Sequence, residues 1–450
     1  MSRRLLLLCY FYPPLAGGGV HRVLGFTRWL PAHGWDCTVV CAGRDDYGVR
    51  DESLESRIPP ATEVIRVPRG SALAAWLGLG RSVARAVRGS HDSPAGRRSG
   101  FVSSGLRSHS DRLLVRDSCA GWVRRAGRAA AARIARGDVS AVLSSSPPDS
   151  VHLAALALAR RSALPWVADL RDAWVGLHHR RLTAWHAARH RALERRVLAG
   201  ADLVLATSRT HADDLERGRE AQPRRVVHLP NGYEPDVKVP GAGPGPETPV
   251  PGHEHFTLVF TGTLSLMPDA EVFLEALHEV LARRPEARRR IRARLAGPFE
   301  ASYQDRAQAL GLRGIVEFCG PLAHRQARAL QRAADVLLLW QRGDCRGMVP
   351  GKVYEYLDAG RPILALLEEG DEAARLVRRA GAVCVPPGDR GALAAEIERG
   401  YLAWKERRQT GADPRVEAIR PAWLEEHTRA SLAARLASLL DGLASGRRIP

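Results

Sequence analysis

Lysine is almost absent from this 450-residue chain, although the chain is strongly basic. Only three of its 67 Lys+Arg residues are lysines, namely Lys238, Lys352 and Lys405, and 49 Asp+Glu leave a formal net charge of +18. A GC-rich genome would produce such an arginine bias, so the charge alone excludes no class of function. It does predict attraction to an anionic partner, which leaves nucleic acid, lipid headgroups and phosphorylated substrates open.

Features that define several other classes of protein are also missing. No run of about 20 apolar residues occurs, so we expect no transmembrane helix. The seven cysteines form no CxxC pair, which favours reduced thiols in a cytoplasmic protein. The apolar start of the chain runs into Pro13 and Pro14 without a convincing cleavage site, and this favours a buried strand over a signal peptide. His186 and His190 have helical spacing, but no HExxH motif accompanies them, so we expect no metal site.

The order of apolar segments predicts an α/β protein built in two halves. A βαβ unit is predicted at the start of the chain. It consists of an apolar run at residues 5–10, a glycine loop, a helical period and a second apolar run. Prolines and glycines are concentrated at residues 234–254, after which the alternation restarts. We therefore predict two Rossmann-like domains, residues 1–233 and 255–410, that face each other across a cleft. An amphipathic helix at about residues 422–443 closes the chain.

The first candidate site is the loop that contains Gly17, Gly18 and Gly19, between a predicted strand and a predicted helix. Glycines there let the backbone approach a ligand, and the N-terminus of the following helix offers N–H donors to a phosphate. The loop is not a GxGxxG fingerprint. A simple turn and a phosphate cradle therefore both remain open.

The second candidate is the charged segment Asp169, Arg171 and Asp172, which directly follows a predicted strand. Ligands of open parallel sheets bind at the carboxyl ends of the strands, so these charges are candidates for substrate contact. The alternative is a buried Asp–Arg ion pair that holds the loop in place.

The third candidate is the segment at residues 351–362, GKVYEYLDAGRP, in which a helix begins near Lys352 and Gly360 fits its C-cap. The helix N–H groups and Lys352 could hold a diphosphate, while Glu355 in the first turn could accept hydrogen bonds from ribose hydroxyls. A capping carboxylate and a solvated lysine are the alternative. We favour the ligand site because the whole dozen residues look specific.

Five segments, taken together, resemble the family 4 glycosyltransferases of the GT-B fold. They run in the family's order at residues 10–19, 165–174, 230–233, 260–264 and 351–362. The resemblance implies metal-independent, retaining transfer of a hexose from a nucleoside-diphosphate sugar, with no cofactor. It places the donor mainly on the C-terminal domain and a glycan, lipid-linked or small-molecule acceptor on the N-terminal domain. A final helix at about residues 420–445 would pack back on the N-terminal domain.

The resemblance also implies roles for individual residues. The catalytic set is Arg171, Asp172 and Lys352. The nucleotide-sugar set is Gly17, Gly18, Gly262, Gly320, Arg342, Lys352 and Glu355. The acceptor set is Asp169, Arg171 and His178.

The sequence departs from the family pattern at three positions. Gly347 stands where relatives have a second glutamate, Thr263 stands where many have an arginine, and Arg171 stands where many have a histidine. Because an arginine stays protonated at neutral pH, Arg171 cannot act as a base. We assign it to sugar or phosphate binding.

Other functions are left as alternatives. One is an inactive or scaffolding relative, which the departures at Gly347 and Thr263 would suit. A nucleic-acid-binding protein is disfavoured because no aromatic residues are interleaved with the basic ones, so we expect no nucleic-acid partner. The arginine-rich stretch at residues 81–136, with Trp122, could contact anionic lipid at the inner face of the cell membrane. Solvated helical faces with an arginine bias explain it as well.

Overall fold

The structure is a computed structural model that describes residues 2–15, 17–46, 50–69, 119–175, 183–217, 225–235, 254–264, 267–341, 347–411 and 420–445. Most of the predicted linker, His178, Arg342 and residues 81–118 lie outside these ranges. The chain divides into two compact units. The first unit comprises Met1–Thr207, His211–Leu229 and Ala433–Pro450, and the second comprises Ser208–Thr210 and Pro230–Leu432.

The first unit contains a seven-stranded sheet in which all neighbouring strands are parallel. Its strands are β1 (Arg3–Cys9), β2 (Trp35–Ala42), β3 (Glu63–Val67), β4 (Ala141–Ser145), β5 (Trp166–Leu170), β6 (Leu203–Ala206) and β7 (Arg225–His228). Their spatial order is β3-β2-β1-β4-β5-β6-β7. β1 lies inside the sheet between β2 and β4, and its four leucines are completely buried, as a strand covered on both faces requires.

Five helices of the described residues follow the strands of this sheet. They are α1 (Gly18–Trp29), α2 (Ala120–Ile134), α3 (Val151–Ser162), α4 (Ala184–Gly200) and α5 (Arg209–Arg217). A short 3-10 helix, Leu30–His33, continues α1. The βαβ unit predicted from the first 45 residues is therefore present.

The second unit contains a six-stranded parallel sheet. Its strands are β8 (Phe256–Thr261), β9 (Ile291–Ala296), β10 (Val316–Gly320), β11 (Val336–Trp340), β12 (Ile363–Leu366) and β13 (Val383–Val385). Its helices are α6 (Asp269–Arg283), α7 (Ala301–Ala309), α8 (His324–Ala333), α9 (Gly351–Ala359), α10 (Glu372–Arg378) and α11 (Arg390–Gln409). The predicted α/β fold with two Rossmann-like sheets is confirmed.

The closing segment differs from the single helix that its periodicity predicted. A short 3-10 helix, Ala422–His427, ends at Thr428, and the last helix, α12, runs over Arg429–Ala444. Thr428 has an extended backbone, and its Oγ1 accepts a hydrogen bond from the N–H of Ser431. This is the contact of an N-cap, so Thr428 separates two helical segments. Within the first unit, Asp441 of α12 accepts hydrogen bonds from Arg3 and Trp35.

Each sheet has a point at which the strand order reverses. It lies between β1 and β4 in the first unit and between β8 and β11 in the second. In open sheets of this kind, ligands bind beyond the carboxyl ends of the strands at the reversal. The loops after these four strands are therefore where a site is expected. None of the helices in the described ranges has the length and apolar composition that a bilayer crossing requires.

Candidate functional site

The loop after β1 presents its glycines at the reversal point of the first sheet. Gly17 and Gly18 are exposed, and a β-carbon added at either residue would meet no atom within 4 Å. Gly17 has a φ of 129°, which favours glycine, and α1 begins at Gly18. This backbone is open to a ligand in front of a helix N-terminus, as a cradle for an anion requires.

Asp169 is completely buried in an ion pair with Arg22 of α1. The Nε and Nη2 of Arg22 donate to the Asp169 carboxylate, Nη2 at 2.8 Å, and Ser145 donates a further hydrogen bond to it at 2.8 Å. Burial would raise the pKa of Asp169, but the charge and hydrogen bonds of Arg22 and Ser145 lower it. The acceptor-binding role predicted for Asp169 is therefore corrected. Its carboxylate is enclosed and holds α1 against β4 and β5. This is the buried Asp–Arg ion pair that the sequence left as the alternative, and its arginine is Arg22.

Arg171 joins two loops at the carboxyl edge of the same sheet. Its Nε donates to the carbonyl of Ser146 after β4, and its Nη1 donates to the carbonyl of Gly19 after β1. A β-carbon at Gly19 would lie 3.3 Å from Nη2 of Arg171, so a glycine gives the guanidinium room. Burial lowers the pKa of Arg171, while Asp172 and Asp169 act in the opposite direction. The geometry makes Arg171 a clamp on the glycine loop.

Asp172 is the half-buried carboxylate of this segment, and it forms no hydrogen bond or ion pair among the described residues. Its charge acts on two neighbours, Arg171 and the buried His211 of α5. Burial lowers the pKa of His211, and Asp172 opposes that change. Of the two acidic residues in the segment, only Asp172 has carboxylate oxygens available to a hydroxyl group.

In the second unit, the loops after β8, β9 and β10 are joined by backbone contacts. The N–H of Gly262 donates to Ala296 at 2.8 Å, and the N–H of Gly297 donates to Gly320 at 2.8 Å. Gly297 has a φ of 135°, and a β-carbon there would lie only 1.9 Å from the carbonyl oxygen of Gly262. Only glycine fits at this position, so the packing of this edge depends on it.

Lys352 lies at the start of α9, beside the loop that follows β8. Its Nζ is 3.4 Å from the position that a β-carbon of Gly262 would take, and 4.1 Å from the centre of the Phe260 ring. It makes no ion pair or hydrogen bond among the described residues. Burial lowers the pKa of the Lys352 amine to about 7. A desolvated amine beside a helix N-terminus is suited to an anion, because the anion restores its charge.

Glu355 lies one turn further along α9 and is oriented by two cationic or polar neighbours. Its Oε1 is 3.0 Å from Nε2 of His324, the first residue of α8, and 4.0 Å from Nη2 of Arg429. The buried Arg328 of α8 donates to the backbone carbonyl of Glu355 and to Asp358. Arg328 thus joins α8 to α9 at the backbone of Glu355 itself. This contact fixes the position from which the Glu355 side chain extends.

The family departures have a structural counterpart at one position. Gly347 has a φ of 76°, a backbone conformation that residues with side chains rarely adopt. Glutamate at this position would therefore strain the present backbone. Thr263 is exposed after β8 and has no charge.

The structure brings Lys352 and Gly262 together and places Glu355 on the same helix as Lys352. It brings Arg171 to the glycine loop. Sequence reasoning missed Arg22, Gly297 and His324. Gly297 directly follows β9, as Gly262 directly follows β8. A search for glycines at the carboxyl ends of predicted strands would therefore have found it. Among the described residues, no three His, Cys, Asp or Glu side chains are grouped closely enough to hold a metal ion.

Comparisons with known proteins match both units. Residues 17–232 match the family described as glycosyl transferase 4-like domain, and residues 255–401 match the family described as glycosyl transferases group 1. A D-inositol 3-phosphate glycosyltransferase of Geodermatophilus obscurus is 28% identical over 267 residues, which cover 57% of each chain. The curated relatives are matched over 38% to 57% of their own length, so the chain spans about half of them or less.

Solved structures share the fold at low identity. The Anabaena protein HepE, crystallised with UDP and glucose, has a TM-score of 0.61 at 15% identity, with 98% of this chain and 100% of that chain covered. Sucrose-phosphate synthase from Thermosynechococcus elongatus has a TM-score of 0.64 at 16% identity, with 99% and 100% covered.

Proposed function

Because the chain belongs to the family 4 glycosyltransferases of the GT-B fold, we propose that it transfers a hexosyl group from a nucleoside-diphosphate sugar to a hydroxyl group, with retention of configuration and without a metal. The observation that carries the proposal is the juxtaposition of Lys352, the N-terminus of α9 and the glycine of the β8 loop. The product belongs to a glycan, polysaccharide or glycolipid.

The donor diphosphate is held by Lys352 and by the N–H groups at the start of α9. The amine has a lowered pKa and no ion-pair partner among the described residues, so a diphosphate would satisfy it. Gly262 leaves space beside the amine, and Gly320 is half-buried at the end of β10 near the same edge. Lys352 thus takes over a charge that relatives supply from the position of Thr263. Arg342 is retained as a proposed second cation.

The ribose is bound by Glu355. Its carboxylate is held 3.0 Å from Nε2 of His324 at the start of α8, and a carboxylate oxygen can accept more than one hydrogen bond, so a ribose hydroxyl can donate to it. A carboxylate in this position discriminates a ribonucleotide from an analogue that lacks ribose hydroxyls, because the carboxylate then loses a hydrogen-bond donor.

The reaction needs no protein nucleophile. The bond between C1 of the sugar and the diphosphate oxygen breaks, and the acceptor oxygen forms a new bond to C1 on the same face. The acceptor proton passes to the leaving diphosphate, and a nucleoside diphosphate is released. Lys352 and the α9 amides stabilise the charge that develops on the leaving oxygen.

The acceptor binds on the first unit, where Asp172 offers a carboxylate and Arg171 shapes the glycine loop that contains Gly17 and Gly18. His178 is retained as a proposed acceptor contact. The matched relatives are named for D-inositol 3-phosphate, so inositol phosphates belong in the first acceptor panel. We also propose a cytoplasmic location with peripheral membrane contact, because lipid-linked acceptors lie at that surface.

The experiment is isothermal titration of the intact protein with a panel of nucleoside diphosphates, UDP first because HepE was crystallised with it. Glu355→Ala is expected to weaken binding about 10- to 100-fold, as the loss of a hydrogen bond to a charged group does. Glu396→Ala, at a partly exposed carboxylate on α11, is the matched control and should bind like the wild type. If no nucleoside diphosphate or nucleotide sugar binds, the proposal fails.

A scaffolding role is the second candidate, favoured by the backbone at Gly347, which does not suit the second glutamate of the family. It predicts nucleotide binding without turnover. Release of nucleoside diphosphate in the presence of an acceptor would eliminate it.

A further inference from the structure

A groove with a volume of about 310 Å³ runs between α2 and α3 of the first unit, and its lining includes none of the described residues assigned to the donor or acceptor. Val123, Leu153 and Leu158 contribute to its apolar floor. Three exposed arginines, Arg124, Arg128 and Arg161, also line it. The volume is at the lower end of the range for small-molecule sites.

Small residues keep this groove open. Gly127 of α2 and Ala154 of α3 face each other, and a β-carbon at Gly127 would lie 3.5 Å from that of Ala154. Ala131 and Ala157 line the same groove. Larger side chains on these helices would fill the space.

The arginines that line the groove differ in their contacts from the other arginines of α2. Arg133 is buried and forms ion pairs with Glu63 and Asp138, and Arg125 donates to the carbonyl of Pro68. Arg124, Arg128 and Arg161 form no ion pair or hydrogen bond among the described residues. Within the part of the chain that the structure describes, the lining of the groove contains no acidic residue. Three guanidinium groups around an apolar surface are complementary to an anionic amphiphile.

Trp122 is not part of this surface, which corrects one sequence expectation. The sequence suggested it as an apolar contact to lipid, but its side chain is 1% exposed and its indole N–H donates to the carbonyl of Val67 at 2.9 Å. Near α2, the described residues offer an apolar surface for a lipid contact in the groove.

We propose that the α2–α3 groove binds a phospholipid of an anionic membrane surface, with acyl chain on the apolar floor and phosphate on Arg124, Arg128 and Arg161. This inference rests on the membrane contact proposed above and not on the donor site. The segment before α2, residues 70–118, is itself rich in arginine, so its charge disfavours it as the occupant. Anchorage there would hold the acceptor-binding unit at the lipid surface.

The test is flotation of the full chain with vesicles of phosphatidylglycerol and phosphatidylcholine in equal parts, against vesicles of phosphatidylcholine alone. The wild type should float only with the anionic vesicles. The triple variant Arg124→Glu, Arg128→Glu, Arg161→Glu should bind them about 100-fold more weakly, since each basic residue near such a surface contributes severalfold. The control Arg160→Glu, Arg195→Glu, Arg196→Glu has the same change of charge on exposed arginines of the same unit, outside the groove.

A groove-filling variant separates insertion from simple charge attraction. Ala157→Phe keeps all three arginines, and we expect it to lose about tenfold in vesicle affinity. UDP binding, measured on every preparation, shows whether the protein is folded and its donor site intact, independently of vesicle binding. If the wild type does not prefer anionic vesicles, if the control loses as much as the triple variant, or if Ala157→Phe binds like the wild type, the groove is not a lipid site. A wild type that binds no nucleoside diphosphate or nucleotide sugar would instead contradict only the proposed transferase.

Discussion

The amine of Lys352 lies 4.1 Å from the centre of the Phe260 ring, and that ring stacks on Trp340 with centroids 4.2 Å apart and planes 6° apart. The quadrupole of the Phe260 ring attracts the ammonium group, but the rings also exclude water from it. Burial prevails, because the pKa of the amine falls to about 7. One of the three lysines of the chain thus lies against a stacked pair of aromatic rings, beside the loop that follows β8.

Nucleoside-diphosphate binding should weaken as the pH rises above about 7. In the free protein the amine loses its proton there, so binding a diphosphate must be accompanied by proton uptake. We expect Kd for UDP to rise by up to about tenfold per pH unit above this value. Titration calorimetry in two buffers of different ionisation enthalpy measures the uptake. Lys352→Arg keeps its charge and should lose this pH dependence, whereas a wild-type Kd that is constant across the alkaline range contradicts the assignment.

Lys352→Met should stabilise the free protein. The pKa of the amine is lower in the folded than in the unfolded chain, so the unfolded state binds more protons between about pH 7 and the ordinary lysine value near 10. The wild type therefore gains stability as the pH rises through that window, and the variant's advantage is greatest below it. We expect Tm to increase by about 2–4 °C per kcal/mol gained. Lys405→Met, on the surface of α11, is the control and should leave Tm unchanged.

Gly297→Ala should disrupt the edge of the second sheet. The φ of 135° is strained for alanine, and the added methyl would approach the carbonyl oxygen of Gly262 to 1.9 Å. We expect a loss of more than about 3 kcal/mol in the free energy of unfolding. Denaturant unfolding measures it, and UDP affinity should fall with it because Gly262 lies beside Lys352. Gly370→Ala, where the added atom meets nothing within 4 Å, should be nearly neutral.

Asp169→Asn should be strongly destabilising, because it removes the carboxylate charge that pairs with the buried guanidinium of Arg22. Removing one partner of a buried ion pair costs about 3–5 kcal/mol. The folded pKa of Asp169 is lowered, so its contribution is present above the ordinary aspartate pKa and is lost as the pH falls below it. Urea unfolding at neutral and acidic pH should show the two proteins converging in acid. Asp214→Asn, which removes an exposed pair with Arg217, provides the comparison and should cost less than about 1 kcal/mol.

The alternation of buried apolar segments with helical periods was sufficient to predict the α/β class and its two Rossmann-like halves. That is because strands covered on both faces must be apolar throughout, and a helix from Asp269 to Arg283 has its own period. Local capping was missed at Thr428, where a side-chain hydrogen bond divides a pattern that is continuous in sequence.

The motif residues were visible in the sequence, but their partners were not. Residue order could not show that Asp169 pairs with Arg22 rather than Arg171, since 147 positions separate them and only the packing of α1 on β5 joins them. Likewise, Lys352 was recognisable as a cation at a helix start, while its lowered pKa depends on Phe260 and the burial that the folded second unit provides. The sequence alone determined which groups could carry charge, and the tertiary structure decided which of them water and counter-ions still reach.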